Sequence, residues 1–308
     1  MKNDLVDDVD IGTVLGALWS GKRLIASVTI FGALASVALA LYLPTTYTST
    51  VTLSPADDQA GGMSNLLQRY SGLASFAGVS LPGEEGISRS KLGLEIMKSR
   101  SFLSDFVSRR ELLPELMAVE SFSLETGEIS FDKDIYDSET GEWTRDVSLP
   151  LSKKPSSLEA YEAFEEILTI YSDNKTGFIR VSVTHRSPEI AANWVTWLVE
   201  DINTSMREAD IEESARSIAF LKDQASKTAV ADLQAVMYEL IQSQTETMML
   251  AQVKDEYVFK TVDTAFIPEK KSGPKRAMIS ILGTSATFLL TSLLVLGLRL
   301  KSYVNGNR

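Results

Sequence analysis

The acidic pairs and the one histidine are the residues of this chain whose types most suggest catalysis. Glutamates stand side by side at Glu84-Glu85, Glu165-Glu166 and Glu212-Glu213. A glycosidase needs two carboxyl groups roughly 5–10 Å apart across a sugar, whereas adjacent residues on a helix point apart. His185 ends a predicted strand beside Arg186, a place typical of a surface or structural role at the base of a hairpin. The sequence therefore predicts no catalytic residue.

Other motifs of enzyme chemistry are missing from the sequence as well. No Walker A loop, GxGxxG fingerprint, HExxH pair or GxSxG elbow occurs. The chain has no cysteine, which excludes disulfides and cysteine-ligated metal sites. We expect neither a cofactor nor a bound metal. The net charge of −11 argues against nucleic acid as a partner.

Two long uncharged segments lie near the ends of the chain, at residues 24–43 and 277–298. Each is long enough to cross a hydrocarbon core of about 30 Å as a helix. We therefore predict two transmembrane helices, flanked by short tails at residues 1–23 and 299–308. The segment between them, residues 44–276, has the composition of a soluble domain.

The first apolar segment has an alternative interpretation as a cleaved signal peptide. Ala38-Leu39-Ala40 would be the cleavage site, and the mature protein would begin at Leu41. The apolar run is longer than the usual h-region of about 7–15 residues, and it ends in Leu-Tyr-Leu rather than in a polar segment. These features favour a retained transmembrane helix.

The basic residues near the two spans give conflicting information about orientation. Lys22 and Arg23 precede the first span and predict a cytoplasmic N-terminus. Basic residues lie on both sides of the second span: Lys270, Lys271, Lys275 and Arg276 before it, and Arg299, Lys301 and Arg308 after it. Because more of them precede the span than follow it, the local count would place the preceding segment in the cytoplasm. Because the first helix usually sets orientation and long domains translocate largely regardless of charge, we predict that both termini are cytoplasmic.

Small residues in the two spans predict close contacts between membrane helices. Gly32 and Ser36 are four residues apart, and Ala40 continues the same face. Gly283 is a small residue of the second span. Such residues let helix backbones approach closely in a bilayer.

Hydrophobic periodicity predicts the elements of the central domain. A Gly/Ser-rich loop with a short helix is expected at 59–86, a turn-rich segment with a hairpin at 111–155, and a surface helix at 11–18. Alternation of apolar and polar residues predicts strands at 44–53, 178–184 and 257–267. Apolar residues at a spacing of 3–4 predict helices at 88–110 and 156–168. Ser88 or Ser90 would cap the first helix, and Ser156 with Glu159 would cap the second.

Residues 189–267 contain neither glycine nor proline, and their composition favours helix. Ser187 and Pro188 form a helix start. We predict a helical-hairpin arm over about 188–256 that reverses near 226–228. Its first helix, near 57 Å long, exceeds the roughly 40 Å diameter of a domain of this size. The arm therefore overhangs its domain, and its apolar stripe predicts oligomerisation.

Trp194 and Trp197 lie near the base of the arm. A tryptophan ring can stack on a sugar, but packing between the arm and the sheet is the favoured interpretation for both residues.

The closing strand at 257–267 is expected to join the sheet of the strand at 178–184, because both ends of the arm return to one base.

Several motifs, in order along the chain, resemble the Wzz-type polysaccharide co-polymerases, the chain-length determinants of bacterial O-antigen and related surface polysaccharides. They are DIGTVLGALWSGK, LPTTYTSTVTL, GLASFAGVSL, VSVTHRSPEIAANWVTWLV and DEYVFKTVDTAFIPEKKSGPKRAMI. The last is the most specific, since it resembles the family's proline-rich signature through Asp263, Pro268, Pro274, Lys275 and Arg276.

The resemblance implies an α+β membrane protein: two transmembrane helices flanking a periplasmic α/β base that carries a helical arm. It implies ring-shaped homo-oligomers in the inner membrane, no enzymatic activity, and action with a Wzy-type polymerase on a lipid-linked polysaccharide. Gly32, Ser36 and Gly283 would serve helix contacts, including those with the polymerase. The two prolines would fix the angle between base and second span, and the basic pair would meet lipid phosphates.

Three other functions are alternatives to this one. A capsule or exopolysaccharide export co-polymerase, bridging an inner-membrane transporter to an outer-membrane channel, shares the architecture. A transmembrane sensor needs a cytoplasmic output module, for which the segment after residue 298 is too short. A glycan-cleaving enzyme lacks a facing carboxylate pair. The short C-terminal tail also differs from the kinase-linked members of the family.

Overall fold

A computed structural model describes residues 18–56 and 88–306 of the chain. The chain divides into two compact units: a helical unit, Met1–Thr46 with Lys271–Arg308, and an α/β unit, Tyr47–Lys270. The surface helix predicted at 11–18 falls almost wholly outside the described residues, and the Gly/Ser-rich loop predicted at 59–86 lies entirely outside them.

The elements of the described residues follow one another in this order: α1 Lys22–Tyr42, β1 Tyr47–Pro55, α2 Arg89–Lys98, α3 Arg100–Arg109, α4 Leu113–Met117, β2 Val119–Phe122, β3 Ile129–Phe131, β4 Tyr136–Asp137, β5 Glu142–Trp143, α5 Ser157–Ile167, β6 Leu168–Ser172, β7 Ile179–His185, α6 Pro188–Lys227, α7 Ala231–Val253, β8 Phe259–Asp263 and α8 Arg276–Gly306.

The helical unit contains α1 and α8, which pack against each other. Lys22–Tyr42 and Arg276–Leu298 are both long and apolar enough to cross a membrane. The helix α8 runs on to Gly306, so most of the segment predicted as a C-terminal tail is helical. Between Leu298 and Gly306 there is no glycine or proline to stop the helix.

The α/β unit is built on a four-stranded antiparallel sheet of order β6-β7-β1-β8. The strands predicted at 44–53 and 178–184 are confirmed as β1 and β7, and the closing strand joins their sheet, as expected, over the shorter range of β8. The strand β6 was not predicted. It follows α5 without a turn, and its first residue, Leu168, is the last residue of the helix predicted at 156–168.

The two faces of the sheet differ in chemistry. One face is buried and includes Val51 and Leu53 of β1, paired with Val181 and Ile179 of β7. The other face carries hydroxyl pairs at hydrogen-bond distance: Thr48 with Thr184 and Thr50 with Ser182, each at 2.8 Å. Alternation along a strand sends successive side chains to opposite faces, and the helices of the core pack against the apolar face.

The prediction of a single helix at 88–110 is wrong, because the chain forms two helices, α2 and α3, separated by a break at Ser99. The backbone of Ser99 is extended, and its hydroxyl accepts a hydrogen bond from the Phe102 N–H at 3.3 Å. Ser88 caps α2 in the same way. Serine favours caps over helix interiors, so this break lets each helix direct its own apolar residues into the core.

An aromatic row runs through the core beneath the sheet. Phe106 and Phe164 meet edge to face at 5.3 Å, and Phe164 stacks on Trp194 at 5.7 Å. His185 lies 5.0 Å from the Trp194 ring. The predicted capping box of α5 is confirmed: the Ser156 hydroxyl accepts the Glu159 N–H, and the Glu159 carboxylate accepts the Ser156 N–H.

The helical arm consists of α6 and α7, which form an antiparallel pair. At 40 residues, α6 is about 60 Å long. Its first half packs on β1 and β7, but after Met206 only Ser214 and Ala225 are buried among its residues. The chain reverses just after Lys227, near the predicted position. The outer half of α6 therefore packs mainly against α7 and extends beyond the core.

Asn203 fastens the arm to the sheet at the point where α7 returns. Its Oδ1 accepts the backbone N–H groups of Val258 and Phe259 at 2.8 and 2.9 Å, and its Nδ2 donates to the Phe259 carbonyl at 3.0 Å. The side chain is buried. Although Asn203-Thr-Ser matches a glycosylation motif, both the oxygen and the nitrogen of this buried amide bond to the backbone.

We predict that Asn203→Ala lowers the free energy of unfolding by about 3 kcal/mol, because it leaves three buried backbone groups unpaired. Thermal unfolding of the full chain in detergent, followed by far-ultraviolet circular dichroism, should show a midpoint roughly 6–12 °C lower. Asn174→Ala, in an exposed turn, is the matched control and should change the midpoint by no more than about 2 °C. An unchanged midpoint for Asn203→Ala would contradict the assignment.

Candidate functional site

The histidine that suggested chemistry is held inside the α/β unit by backbone groups. His185 is buried, its Nε2–H donates to the Glu115 carbonyl at 2.9 Å, and its Nδ1 accepts the Ser187 N–H at 3.0 Å. Burial lowers the pKa of His185, which favours the neutral ring that this arrangement requires. Of the two predicted alternatives, surface or hairpin base, the structure shows the base. Its role is structural.

The acidic residues show no metal-binding arrangement either. Within residues 18–56 and 88–306, no group of three or more His, Cys, Asp or Glu side chains lies close enough to hold a metal ion. Glu165-Glu166 and Glu212-Glu213 are exposed on α5 and α6. The features that distinguish this chain are instead the pairing of its apolar helices, the junctions beside them and the arm.

The predicted small residues lie together at the crossing of α1 and α8. A Cβ atom added to Gly32 would lie 2.5 Å from the Thr287 side chain, and one added to Gly283 would overlap the Ser36 hydroxyl. Neither position has room for a larger residue. The two backbones therefore approach as closely as small residues allow, and all three predicted residues contact the other helix of the same chain.

Several hydroxyl groups along this crossing bond to carbonyls of their own helices. Ser36 donates to the Gly32 carbonyl at 2.7 Å, and Thr291 donates to the Thr287 carbonyl at 2.6 Å. Thr284 bonds to the Ser280 carbonyl in the same manner. Because these hydroxyls bond back to their own helices, the contact at this crossing rests on close packing of small groups.

Backbone hydrogen bonds join the two segments that leave these helices. The Thr46 N–H donates to the Gly273 carbonyl at 3.1 Å, and the Ser272 N–H donates to the Thr46 carbonyl at 2.8 Å. A Cβ on Gly273 would lie 3.0 Å from the Thr46 hydroxyl. The chain leaving α1 and the chain entering α8 are thus held side by side.

The proline-rich residues do not form one site. Asp263 is exposed at the end of β8, and Pro268 is buried in the α/β unit. In the helical unit, Pro274 is half-buried, Lys275 is exposed, and Arg276 begins α8. The five residues therefore mark the stretch of chain between the two units.

The two tryptophans at the base of the arm differ in environment. Trp194 is 2% exposed and cannot present a face to a sugar. Trp197 is half-buried beneath the Arg110 guanidinium, 5.1 Å from the ring centre. Arg110 also binds the buried Asp201 carboxylate at 2.7 Å, and Arg109 binds its other oxygen at 3.3 Å. Both tryptophans thus serve packing in this structure.

A second polar cluster lies at the arm and was not predicted from the sequence. Tyr257 donates to the Asp210 carboxylate and accepts from Arg89 at 3.0 Å, while Arg89 pairs with Asp210 at 3.3 Å. Burial and the bond to Asp210 raise the pKa of the Tyr257 hydroxyl. The three residues come from distant parts of the chain, so no local pattern could have revealed the cluster.

Residues 7–109 match the family model described as Wzz, chain length determinant protein. The match covers about a third of the chain and confirms there the resemblance that the sequence motifs indicated. No curated protein sequence matches the chain.

Two solved structures are similar to this one at low sequence identity. A full-length bacterial polysaccharide co-polymerase is 15% identical, with 96% of this chain and 99% of that chain covered and a TM-score of 0.36. A fragment of WzzB, a polysaccharide co-polymerase from Salmonella Typhimurium, is 14% identical, with coverages of 74% and 100% and a TM-score of 0.28.

The helix crossing can be tested by a disulfide, because the chain has no cysteine of its own. A Cβ on Gly21 would lie 3.5 Å from the Val295 Cβ, which is within disulfide range. We predict that the double variant Gly21→Cys with Val295→Cys forms an intramolecular disulfide on mild oxidation in membranes. Loss of labelling by a maleimide-polymer reagent on a denaturing gel measures the yield.

Adding Gly283→Leu to the cysteine pair should reduce the disulfide yield several-fold, because the side chain has no room beside Ser36. Gly297→Leu is the matched control, since a Cβ at Gly297 meets nothing within 4 Å. Equal yields in the two triple variants would show that the crossing does not depend on Gly283.

Proposed function

We propose that this protein is a polysaccharide co-polymerase of the bacterial inner membrane that regulates, without catalysis, the chain length of O-antigen or a related surface polysaccharide. The observation that carries the proposal is the pairing of two apolar helices, one from each side of a large folded body, in a chain whose first third matches the chain length determinants. The body is then tied to a single bilayer at both ends.

The proposed topology places both termini in the cytoplasm and the α/β unit in the periplasm. Lys22 and Arg23 at the start of α1 support this orientation by the positive-inside rule. The backbone bonds between Thr46 and Gly273 add support, because both segments must leave the same side of the bilayer to meet. Lys275 and Arg276 would then lie near lipid phosphates at the periplasmic surface.

The proposed assembly is a ring of identical chains. Large apolar side chains on the arm remain exposed in the single chain, among them Phe220, Leu233 and Tyr238. Exposed apolar surface of this kind marks an interaction site. Neighbouring arms would cover it and present a surface of fixed size to a growing lipid-linked glycan. A Wzy-type polymerase in the same membrane would be the partner whose product length is set.

The most direct test is deletion of the gene followed by electrophoresis of the surface polysaccharide. Loss of the preferred length, restored by the wild-type gene on a plasmid, is expected. An unchanged ladder would exclude the proposed function. Loss of all polymer at the cell surface would instead favour the export co-polymerase.

We predict that Pro268→Ala with Pro274→Ala changes the modal glycan length while the protein remains inserted in the membrane. Each proline restricts its backbone dihedral φ, and together they limit the conformations of the segment between the two units. The measurement is the complemented ladder on a silver-stained gel, with protein level followed by immunoblot. Pro150→Ala, at an exposed position of the α/β unit, serves as the control. An unaltered ladder at normal protein level would count against this role for the prolines.

We also predict that Leu233→Glu weakens the oligomer, because it places a charge on an exposed apolar position of the arm. Sedimentation of the purified full chain in detergent should shift from the assembled species toward the monomer. Leu124→Glu adds the same charge at an exposed leucine between β2 and β3 and should leave sedimentation unchanged. A wild-type protein that sediments only as a monomer would remove the ring from the proposal.

A further inference from the structure

A cavity of about 480 Å³ lies in the α/β unit between α3, α5 and the β4–β5 hairpin. This volume is in the range of small-molecule sites, roughly 300–1,000 Å³. The lining includes the apolar residues Val107, Leu113 and Ala160. No residue of the paired apolar helices or of the arm is part of this lining. The cavity is therefore a separate feature of the α/β unit.

One wall of the cavity is aromatic. Tyr136 and Trp143 are partners across the β4–β5 hairpin, with ring centres 4.9 Å apart, and both are half-buried. Phe131 supports Tyr136 from behind in an edge-to-face contact at 5.6 Å. Rings held in this way give an apolar face with a polar edge, which suits the C–H face of a sugar ring.

The cavity lining also includes four polar residues: Ser108, Glu111, Lys154 and Ser157. They offer hydroxyl, carboxylate and ammonium groups, a combination that both donates to and accepts from the hydroxyls of a carbohydrate. An anionic ligand fits less well. Glu111 contributes a negative charge to the lining, and Glu159 already occupies the N-terminus of α5 as its capping carboxylate.

Glu111 has a backbone conformation that its residue type disfavours. Its φ is +55°, and it is the only non-glycine residue with positive φ in the part of the chain that the structure describes. It follows the last turn of α3, where the Leu112 N–H bonds to the Val107 carbonyl at 3.0 Å, a position that usually belongs to glycine. Violations of a local preference concentrate at functional sites, and this one places a carboxylate in the cavity wall.

The loop that contains Lys154 is held by hydrogen bonds from Arg145. Arg145 donates to the carbonyls of Ser152 and Lys153, each at 2.6 Å, and pairs with Glu159, whose oxygen lies 3.0 Å from the second guanidinium nitrogen. Both partners of the ion pair are largely buried. The guanidinium of Arg145 holds the pKa of Glu159 at about 2. This arrangement positions Lys154 at the cavity rim.

We propose that this cavity binds a neutral sugar residue, with Trp143 and Tyr136 stacking on the ring and Glu111 accepting hydrogen bonds from its hydroxyls. The inference rests on the proposed function for the origin of the sugar, which would be a residue of the polysaccharide whose length is regulated. The cavity is a defined contact point between the body of the protein and the glycan, distinct from the membrane helices and the arm.

Saturation-transfer difference NMR on the full chain tests the proposal. The detergent is lauryldimethylamine oxide, because maltoside detergents carry sugar headgroups that would compete. The probes are the methyl α-glycosides of glucose, galactose, mannose and N-acetylglucosamine, each at about 10 mM, a concentration suited to weak sites. At least one should receive saturation from the protein. Trp143→Leu should abolish the transfer, whereas Phe178→Leu, which alters an exposed aromatic outside the cavity, should preserve it.

Glu111 variants separate ligand binding from folding. Glu111→Gly should raise the thermal midpoint by about 2–4 °C, since glycine accepts this backbone conformation, yet weaken sugar binding about tenfold, the effect of losing one hydrogen bond to a charged group. Glu111→Ala should weaken binding similarly without the rise. Glu142→Ala, outside the cavity on the same hairpin, should change neither quantity.

Three results would overturn the site: no transfer to any probe, transfer that survives both Trp143→Leu and Glu111→Ala, or displacement of the sugars by inorganic phosphate. Because NMR reads binding alone, it is independent of the glycan ladder. If no sugar binds but gene deletion still changes the glycan ladder, the sugar site is rejected and the proposed function stands. Binding together with an unchanged ladder upholds the site and rejects the function.

Discussion

The close contact between α1 and α8 is the constraint on which the rest of the chain depends. Gly32 beneath Thr287 and Gly283 beneath Ser36 let the two backbones approach, and neither position tolerates a larger side chain. The chain then leaves at Thr46 and returns at Gly273, where backbone hydrogen bonds join the two segments. Everything between forms one closed loop. The antiparallel neighbours β1 and β8 continue this arrangement within the α/β unit.

The arm follows from a second constraint, which is the length of α6. A helix of 40 residues cannot be covered by a four-stranded sheet with short strands. Its first half lies in the core with Trp194, and its second half packs mainly against α7, with Asp210 also bound by Arg89 and Tyr257. Most helical stability in proteins comes from packing of an apolar face. Exposed residues such as Phe220 therefore mark the part of the arm where packing within the chain is incomplete.

Local patterns in the sequence predicted most elements of the fold. Alternation identified β1 and β7, and the Ser156–Glu159 pair identified the start of α5. The break at Ser99 was missed because the apolar spacing of α2 and α3 runs on without interruption. The short strand β6 was missed because it follows a helix directly. Prediction fails where a long pattern is divided by a single cap, or where a strand follows a helix with no turn to separate them.

The candidate functional residues were predictable only in part, for a related reason. Small residues within apolar spans indicate close helix contact, and Gly32, Ser36 and Gly283 were identified on that basis. Their pairing with each other depends on the rotation of two distant helices, which no local pattern specifies. Glu111 was missed because its backbone conformation is visible only in three dimensions.

Directional contacts concentrate where the arm leaves the core. Inside the core the packing is aromatic and aliphatic, with Trp194 at its centre. At its edge, Asn203 binds the returning backbone, and Asp201 is held by two arginines. Further along, Asp210 joins Arg89 and Tyr257. Apolar packing tolerates small rotations, whereas breaking a buried polar contact costs about 1–3 kcal/mol per group. The direction of the arm is therefore fixed by its polar contacts, while the core supplies the larger share of stability.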